Sequence, residues 1–175
     1  MKRREVIAGL GSLAVLGGGA ALTLDGTGSN GSSMEPLDVE TIDASGSSDG
    51  TVTVPQRGQV TVLELFATWC SVCESMMSEL TTAHERLGDE VQFVSVTNEP
   101  LGETVTRADV SAWWTDHEGA WTLGADTGLT LTQRLDAKGV PYTVVFDADN
   151  RITWSHRGRT DASKLETVVE RARTE

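Results

Sequence analysis

Residues 60–73 read Val60-Thr-Val-Leu-Glu-Leu-Phe-Ala-Thr-Trp-Cys-Ser-Val-Cys73. An apolar, β-branched run of strand length ends at Phe66 or Ala67. The chain's only two cysteines follow at once, two residues apart, and open an amphipathic segment. This order predicts a strand that delivers a dithiol to the first turn of a helix.

Two thiols at this spacing can serve three ends. A structural zinc site needs four ligands, and no second Cys or Cys/His pair stands at ligand spacing, since His84, His117 and His156 are scattered singly. A structural disulfide across two residues constrains the unfolded chain little, because that stabilisation grows with loop length. A reversible redox pair fits best. Unpaired backbone N–H groups and the positive end of the helix dipole favour a thiolate at a helix start, so Cys70 is expected to attack a substrate disulfide and Cys73 to resolve the mixed disulfide.

Beyond the dithiol, Cys73, Met76, Met77, Leu80, Ala83 and Leu87 recur on one helical face, and Gly88 supplies a stop. Met76 and Met77 beside two thiols raise a Cu(I) alternative, a metallochaperone module that uses Cys70 and Cys73 as soft ligands, with Met76 as a candidate third. Their helical spacing suits core packing better. His84 sits on or beside the same face, about 16 Å along the axis from Cys73, and is expected to be a half-buried packing residue.

Val91 to Val96 is a second core strand, so strand, helix and strand predict a right-handed parallel βαβ unit. Thr106 with Asp109 resembles a capping box, and Val110, Trp113, Trp114 and His117 follow at helical spacing. Two adjacent tryptophans cannot both face the core, so one is expected in a groove or partly exposed, and His117 at the helix end. Trp121 to Asp126 predicts a short strand and turn, and Leu129 to Leu135 a brief helix. Pro141 marks the start of a strand over Tyr142 to Phe146, Asp147 to Asn150 a turn, and Arg151 to His156 the antiparallel return. Thr160 or Asp161 caps a last helix with Leu165, Val168, Val169 and Ala172 on its apolar face.

The N-terminus reads as an export segment. Lys2-Arg3-Arg4 precede nineteen uncharged residues, Val6 to Leu24, a basic region followed by an apolar one, and the paired arginines resemble a twin-arginine signal. Residues 1–24 are therefore expected to be a signal peptide or membrane anchor. As a helix the apolar run spans about 28 Å, near the bilayer's hydrocarbon thickness. Residues 25–50, rich in Gly, Ser, Asp and Thr, are expected to be a disordered linker, and residues 51–175 the folded domain, with an edge strand from Thr51 to Val54. There are 26 acidic against 14 basic residues, for a formal net charge of -12, and only Lys2, Lys138 and Lys164 are lysine. Such a balance argues against a nucleic-acid partner and for a surface adapted to high salt, where screening removes self-repulsion.

Phe66-Ala67-Thr68-Trp69-Cys70-Ser71-Val72-Cys73, with Gly139-Val140-Pro141 before an apolar strand and the Asp147 to Asn150 turn after it, resembles the thioredoxin superfamily. Within it, the chain is similar to the exported TlpA/ResA-like thiol-disulfide oxidoreductases, a subgroup with an extra helix and strand where Trp113 to Asp126 stand. The resemblance implies an α/β thioredoxin-like fold, a central mixed β-sheet flanked by helices on both faces. It implies that Cys70 and Cys73 are catalytic, that Glu64 is the buried acid exchanging a proton with the second cysteine, and that Trp69, Val140 and a cis Pro141 shape the substrate surface. A carboxyl inside an apolar strand should have a raised pKa, as a base near neutral pH requires. Strand alternation onto a solvated edge is the competing reading of Glu64. The expected role is a monomeric protein-disulfide reductase, without cofactor or metal, that acts on protein thiols and disulfides at the outer face of the membrane. It would draw on a membrane electron donor and serve, for instance, cytochrome maturation. Val72 stands where many relatives have proline within the dithiol motif, and Ser78 where a helix-kinking proline is common. The residues between the cysteines help set the potential, so the direction of exchange is not inherited.

Overall fold

The computed structural model describes residues 33–102 and 104–175. The expected leader, residues 1–24, lies outside them. Seven strands form one mixed sheet in the order β2-β1-β5-β4-β3-β6-β7. In chain order the elements are β1 (Leu37–Thr41), β2 (Gly50–Val54), β3 (Val60–Phe66), α1 (Ser71–Leu87), β4 (Val91–Thr97), α2 (Arg107–Asp116), β5 (Thr122–Ala125), α3 (Thr130–Arg134), β6 (Tyr142–Phe146), β7 (Ile152–Arg157) and α4 (Ala162–Ala172).

The apolar run at Val60 becomes the middle of the sheet. β3 pairs with β4 in parallel and with β6 antiparallel, and every residue of β3 is buried. Alternation then sorts its side chains. Val60, Val62 and Phe66 join a core with α1, α4 and Trp114 of α2, whereas Leu63 and Leu65 join Val94, Val96, Val144 and Phe146 under Leu131 of α3. Helices thus cover both faces, as a continuous apolar strand requires. The six α1 positions expected to face inward are all buried, and each of the larger ones gains about 1.5–3 kcal/mol from leaving water.

The helix ends follow local chemistry. Thr106 and Asp109 form a reciprocal capping box at α2, with Thr106 N–H on Asp109 Oδ2 at 2.9 Å. Gly88, at φ 67°, ends α1 with its N–H on the His84 carbonyl. α4 starts after Asp161, whose side chain makes no capping bond. Glu79 of α1 does that work, accepting from Ala162 N–H at 3.1 Å and from Arg159 at 2.9 Å, which pins α4 to α1.

One boundary differs from the sequence expectation. The folded domain does not start at Thr51: residues 37–41, inside the segment 25–50 expected to be a linker, form β1 between β2 and β5. Averaged over 26 residues the composition is polar, but a strand needs only one apolar face, and Val39, Thr41 and the following Ile42 are buried. Ile42 N–H on the Leu123 carbonyl (2.9 Å) extends the pairing and covers the edge that β5 would otherwise leave bare. Thr51 to Val54 is the outer strand, as expected.

Candidate active site

The dithiol sits where a parallel strand hands the chain to a helix. Ala67 to Cys70 form a tight turn closed by Cys70 N–H on the Ala67 carbonyl at 3.1 Å. Cys70 is the N-cap of α1: its Sγ accepts from Cys73 N–H at 3.1 Å, and its carbonyl accepts from Glu74 N–H at 3.0 Å. Cys70 and Cys73 are joined as a disulfide. Cys73 is fully buried, Cys70 keeps 6 % exposure, and the neighbouring Trp69 is 74 % exposed. One sulfur thus lies at the rim and the other beneath it, beside an apolar surface made by Trp69 and the exposed Val72.

Glu64 is not at a solvated edge. Its position on β3 alternates with Val62 and Phe66, so it faces the side covered by α1, and it has no solvent exposure. Ser95, its register partner on β4, donates from Oγ to Glu64 Oε2 at 2.7 Å and itself accepts from Trp121 Nε1 at 3.0 Å. On the other side Glu64 pairs in register with Thr143, and Glu64 Oε1 and Thr143 Oγ1 are both buried without a hydrogen-bond partner. Burial pushes the Glu64 carboxyl up to about 7, against a smaller downward pull from the Ser95 hydrogen bond.

Val140 and Pro141 precede β6 and are joined by a cis peptide bond. The Pro141 carbonyl accepts from Gly158 N–H at 2.9 Å, which ties this loop to the segment leading into α4. A second cis bond, Val54–Pro55, was not foreseen in the sequence.

The two adjacent tryptophans divide as packing requires. Trp114 is fully buried and donates to the Ser45 carbonyl at 3.0 Å, whereas Trp113 is half-buried and stacked between Phe66 (5.1 Å) and His117 (4.4 Å). His117 caps the end of α2, with Nε2 3.7 Å from Glu74 in the first turn of α1. His84 is half-buried against Phe93 and Trp121, and desolvation holds its pKa below the ordinary histidine value.

Met76 does not reach out towards the dithiol's surroundings as a free ligand. It is fully buried, and its sulfur accepts from Thr160 N–H at 3.3 Å. Among the described residues no group of three or more His, Cys, Asp or Glu is placed to hold a metal ion.

Sequence reasoning passed over Glu99. It is 3 % exposed, and its two oxygens accept from Thr68 N–H (2.8 Å), Thr68 Oγ (2.9 Å) and Thr97 Oγ (2.9 Å). The signal was available in outline. Once β3 and β4 are taken as parallel neighbours, Thr97 pairs with Phe66, and the residues just beyond each strand must meet.

A family model described as Redoxin matches residues 30–169. No curated protein sequence matches the chain. Among solved structures, StoA from Bacillus subtilis superposes with a TM-score of 0.65 at 17% identity, over 77% of this chain and 96% of that one. A putative thiol:disulfide interchange protein DsbE from Chlorobium tepidum gives 0.68 at 18% identity, over 81% and 96%. The exposed lipoprotein thioredoxin Etrx1 from Streptococcus pneumoniae gives 0.65 at 15% identity, over 78% and 99%. These likenesses establish the thioredoxin-like fold.

Proposed function

The chain belongs to the Redoxin family and carries the dithiol of a thiol-disulfide oxidoreductase on a thioredoxin-like fold; from this premise we propose that it reduces disulfides of exported proteins in a TlpA/ResA-like role. The observation that carries the reading is the unequal placement of the two sulfurs, Cys70 at the helix N-cap beside exposed Trp69 and Cys73 fully buried.

In the reduced protein the Cys70 thiolate attacks one sulfur of a substrate disulfide, forms a mixed disulfide and releases the other substrate sulfur as a thiolate, which takes up a proton. Cys73, having given its proton to Glu64, then attacks Cys70 Sγ. The Cys70–Cys73 disulfide forms, the second substrate thiolate leaves and is protonated, and two electrons have passed to the substrate. A carboxyl pushed up to about 7 by burial can take and return that proton near neutral pH. Trp69, Val140 and Pro141 supply the surface on which the substrate chain lies.

Export rests on Lys2-Arg3-Arg4 and the apolar run after them, with the exposed lipoprotein Etrx1 as a fold relative. Among the described residues no helix is long and apolar enough to cross a membrane; in this reading residues 1–24 serve as signal peptide or anchor. The acidic, lysine-poor composition suits a salt-rich exterior. The Cu(I) alternative has less support, because the Met76 sulfur is already engaged inside the core.

The deciding measurement is the equilibrium reduction potential of Cys70/Cys73 in defined thiol buffers, with turnover of a protein disulfide. A value near about -270 mV supports the reductase, one near about -120 mV reverses the direction, and a pair that does not titrate reversibly removes the oxidoreductase reading.

A further inference from the structure

We infer that Glu99 is a positioning residue for the dithiol and that its buried charge holds the Cys70 thiol less acidic, biasing the pair towards a reductant. The inference rests on the proposed role of Cys70 as attacking thiolate.

The geometry has two parts. Thr68 is the second residue of the Ala67 to Cys70 turn, and Glu99 takes both its N–H and its hydroxyl, at 2.8 and 2.9 Å. A two-point hold on one turn residue fixes the exit angle of β3 and with it the place of Cys70 at the start of α1. The acid is also anchored from behind, through Thr97 Oγ at 2.9 Å and its own N–H on Thr97 Oγ at 3.3 Å. Every group that meets the Glu99 oxygens can donate, which is the environment of an ionised carboxylate.

The electrostatic part follows from burial. The other charged groups around the start of α1 are Glu74, faced by His117 at 3.7 Å, and Arg159, bound to the Ser75 carbonyl at 2.6 Å and to Glu79 at 2.9 Å; Glu64 lies within the sheet. Glu74 and Arg159 are 60 % and 45 % exposed as side chains, so water and salt screen them. Glu99, at 3 % exposure, is screened far less. A negative charge bonded to Thr68, two residues before Cys70, disfavours the thiolate, whereas the helix N-terminus favours it. A dithiol whose thiolate is less favoured has a less stable reduced form at alkaline pH, and its potential is lower.

The test is Glu99→Gln in the full chain, which keeps the size and the acceptor for Thr68 N–H and removes the charge. Cys70 acidity is read from the pH dependence of alkylation, and the potential at a pH above the Cys70 pKa, both in low salt and in about 1 M salt, where the Debye length is about 3 Å. The expected result is a roughly three- to tenfold larger acid dissociation constant for Cys70. The potential should then be less negative by about 15–30 mV at 29.6 mV per tenfold, and the shift should survive in high salt. An unchanged or weaker acidity, or a shift abolished by salt, overturns the proposal. If the glutamine variant does not fold, Thr68→Val decides: loss of one donor leaves the charge less compensated, so Cys70 should become less acidic, and an unchanged or stronger acidity overturns the proposal. Failure of Cys70 to react as a thiolate in the unaltered protein would instead remove the proposed function itself.

Discussion

Ser95 Oγ donates a 2.7 Å hydrogen bond to Glu64 Oε2, and both residues are wholly buried on adjacent parallel strands. The bond supports only one oxygen. The other has no hydrogen-bond partner, and burial outweighs the bond, so the carboxyl is pushed from its ordinary 4.5 up to about 7.

That shift has a sign in stability. Between pH 4.5 and about 7 the folded chain keeps a proton on Glu64 that the unfolded chain has lost, so stability falls as pH rises through this window and the full penalty is present above it. A rise from 4.5 to about 7 corresponds to roughly 3 kcal/mol. Glu64→Gln should therefore be more stable than the parent at pH 8 and near parity at pH 4, measured by urea unfolding of the oxidised forms. Turnover of a protein disulfide at pH 7 should fall by about tenfold or more, because the proposed proton acceptor is gone. Equal pH dependence in the two proteins would sink the assignment of the raised pKa.

Trp121 Nε1 donates to Ser95 Oγ at 3.0 Å, and its ring packs edge-on against Phe93 and Trp114. Trp121→Phe keeps an aromatic ring there and removes the donor. We expect a loss of about 1 kcal/mol in urea unfolding, plus some cost for the smaller ring, and a pH–turnover profile displaced to higher pH as Ser95 becomes a weaker donor to Glu64. An undisplaced profile would show that the Trp121–Ser95–Glu64 chain has no influence on the acid.

The buried placement of Cys73 makes Cys73→Ser a trap. Cys70 should form a mixed disulfide with a protein substrate that persists, visible as a higher-mass band under non-reducing electrophoresis. Cys70→Ser should give no such adduct, because the remaining thiol is wholly buried. Adducts through Cys73 in that variant would reverse the assigned roles.

Gly46, in the turn between β1 and β2, has φ +74°, and a Cβ there would lie 2.0 Å from the carbonyl carbon of Ala120. Gly46→Ala should cost about 2–4 kcal/mol, since both the backbone conformation and the contact oppose it. The thermal midpoint should drop by about 5–15 °C. A midpoint unchanged within 2–3 degrees, about the effect of 1 kcal/mol at this size, would mean that the hairpin is not part of the cooperative unit.

Much of the fold was legible because its signals are local. The even apolar run of β3, the helical spacing from Cys73 to Leu87 and the Thr106/Asp109 box each declare an element within a few residues, and each is found. β1 was not legible. Leu37, Val39 and Ile42 are too few to mark a strand within a Gly/Ser-rich stretch, and they become one only because β5 offers an unpaired edge. The start of α4 was read to within a residue, but its cap comes from Glu79, 83 residues before Ala162 in the chain, which no local pattern can announce.

The sequence by itself determined the dithiol, the strand that presents it, the helix that receives it and the presence of a carboxyl six residues upstream, since all of these are matters of order along one short stretch. Only the tertiary structure decided that Glu64 lies in the interior with one oxygen held by Ser95 and the other unpaired, that Cys73 lies beneath Cys70, and that Glu99 grips Thr68. The Glu64–Ser95 and Thr68–Glu99 bonds each join residues 31 positions apart, on or just beyond adjacent parallel strands. Their energies depend on exclusion of water, which a carboxyl acquires from its neighbours in space and not from its neighbours in the chain.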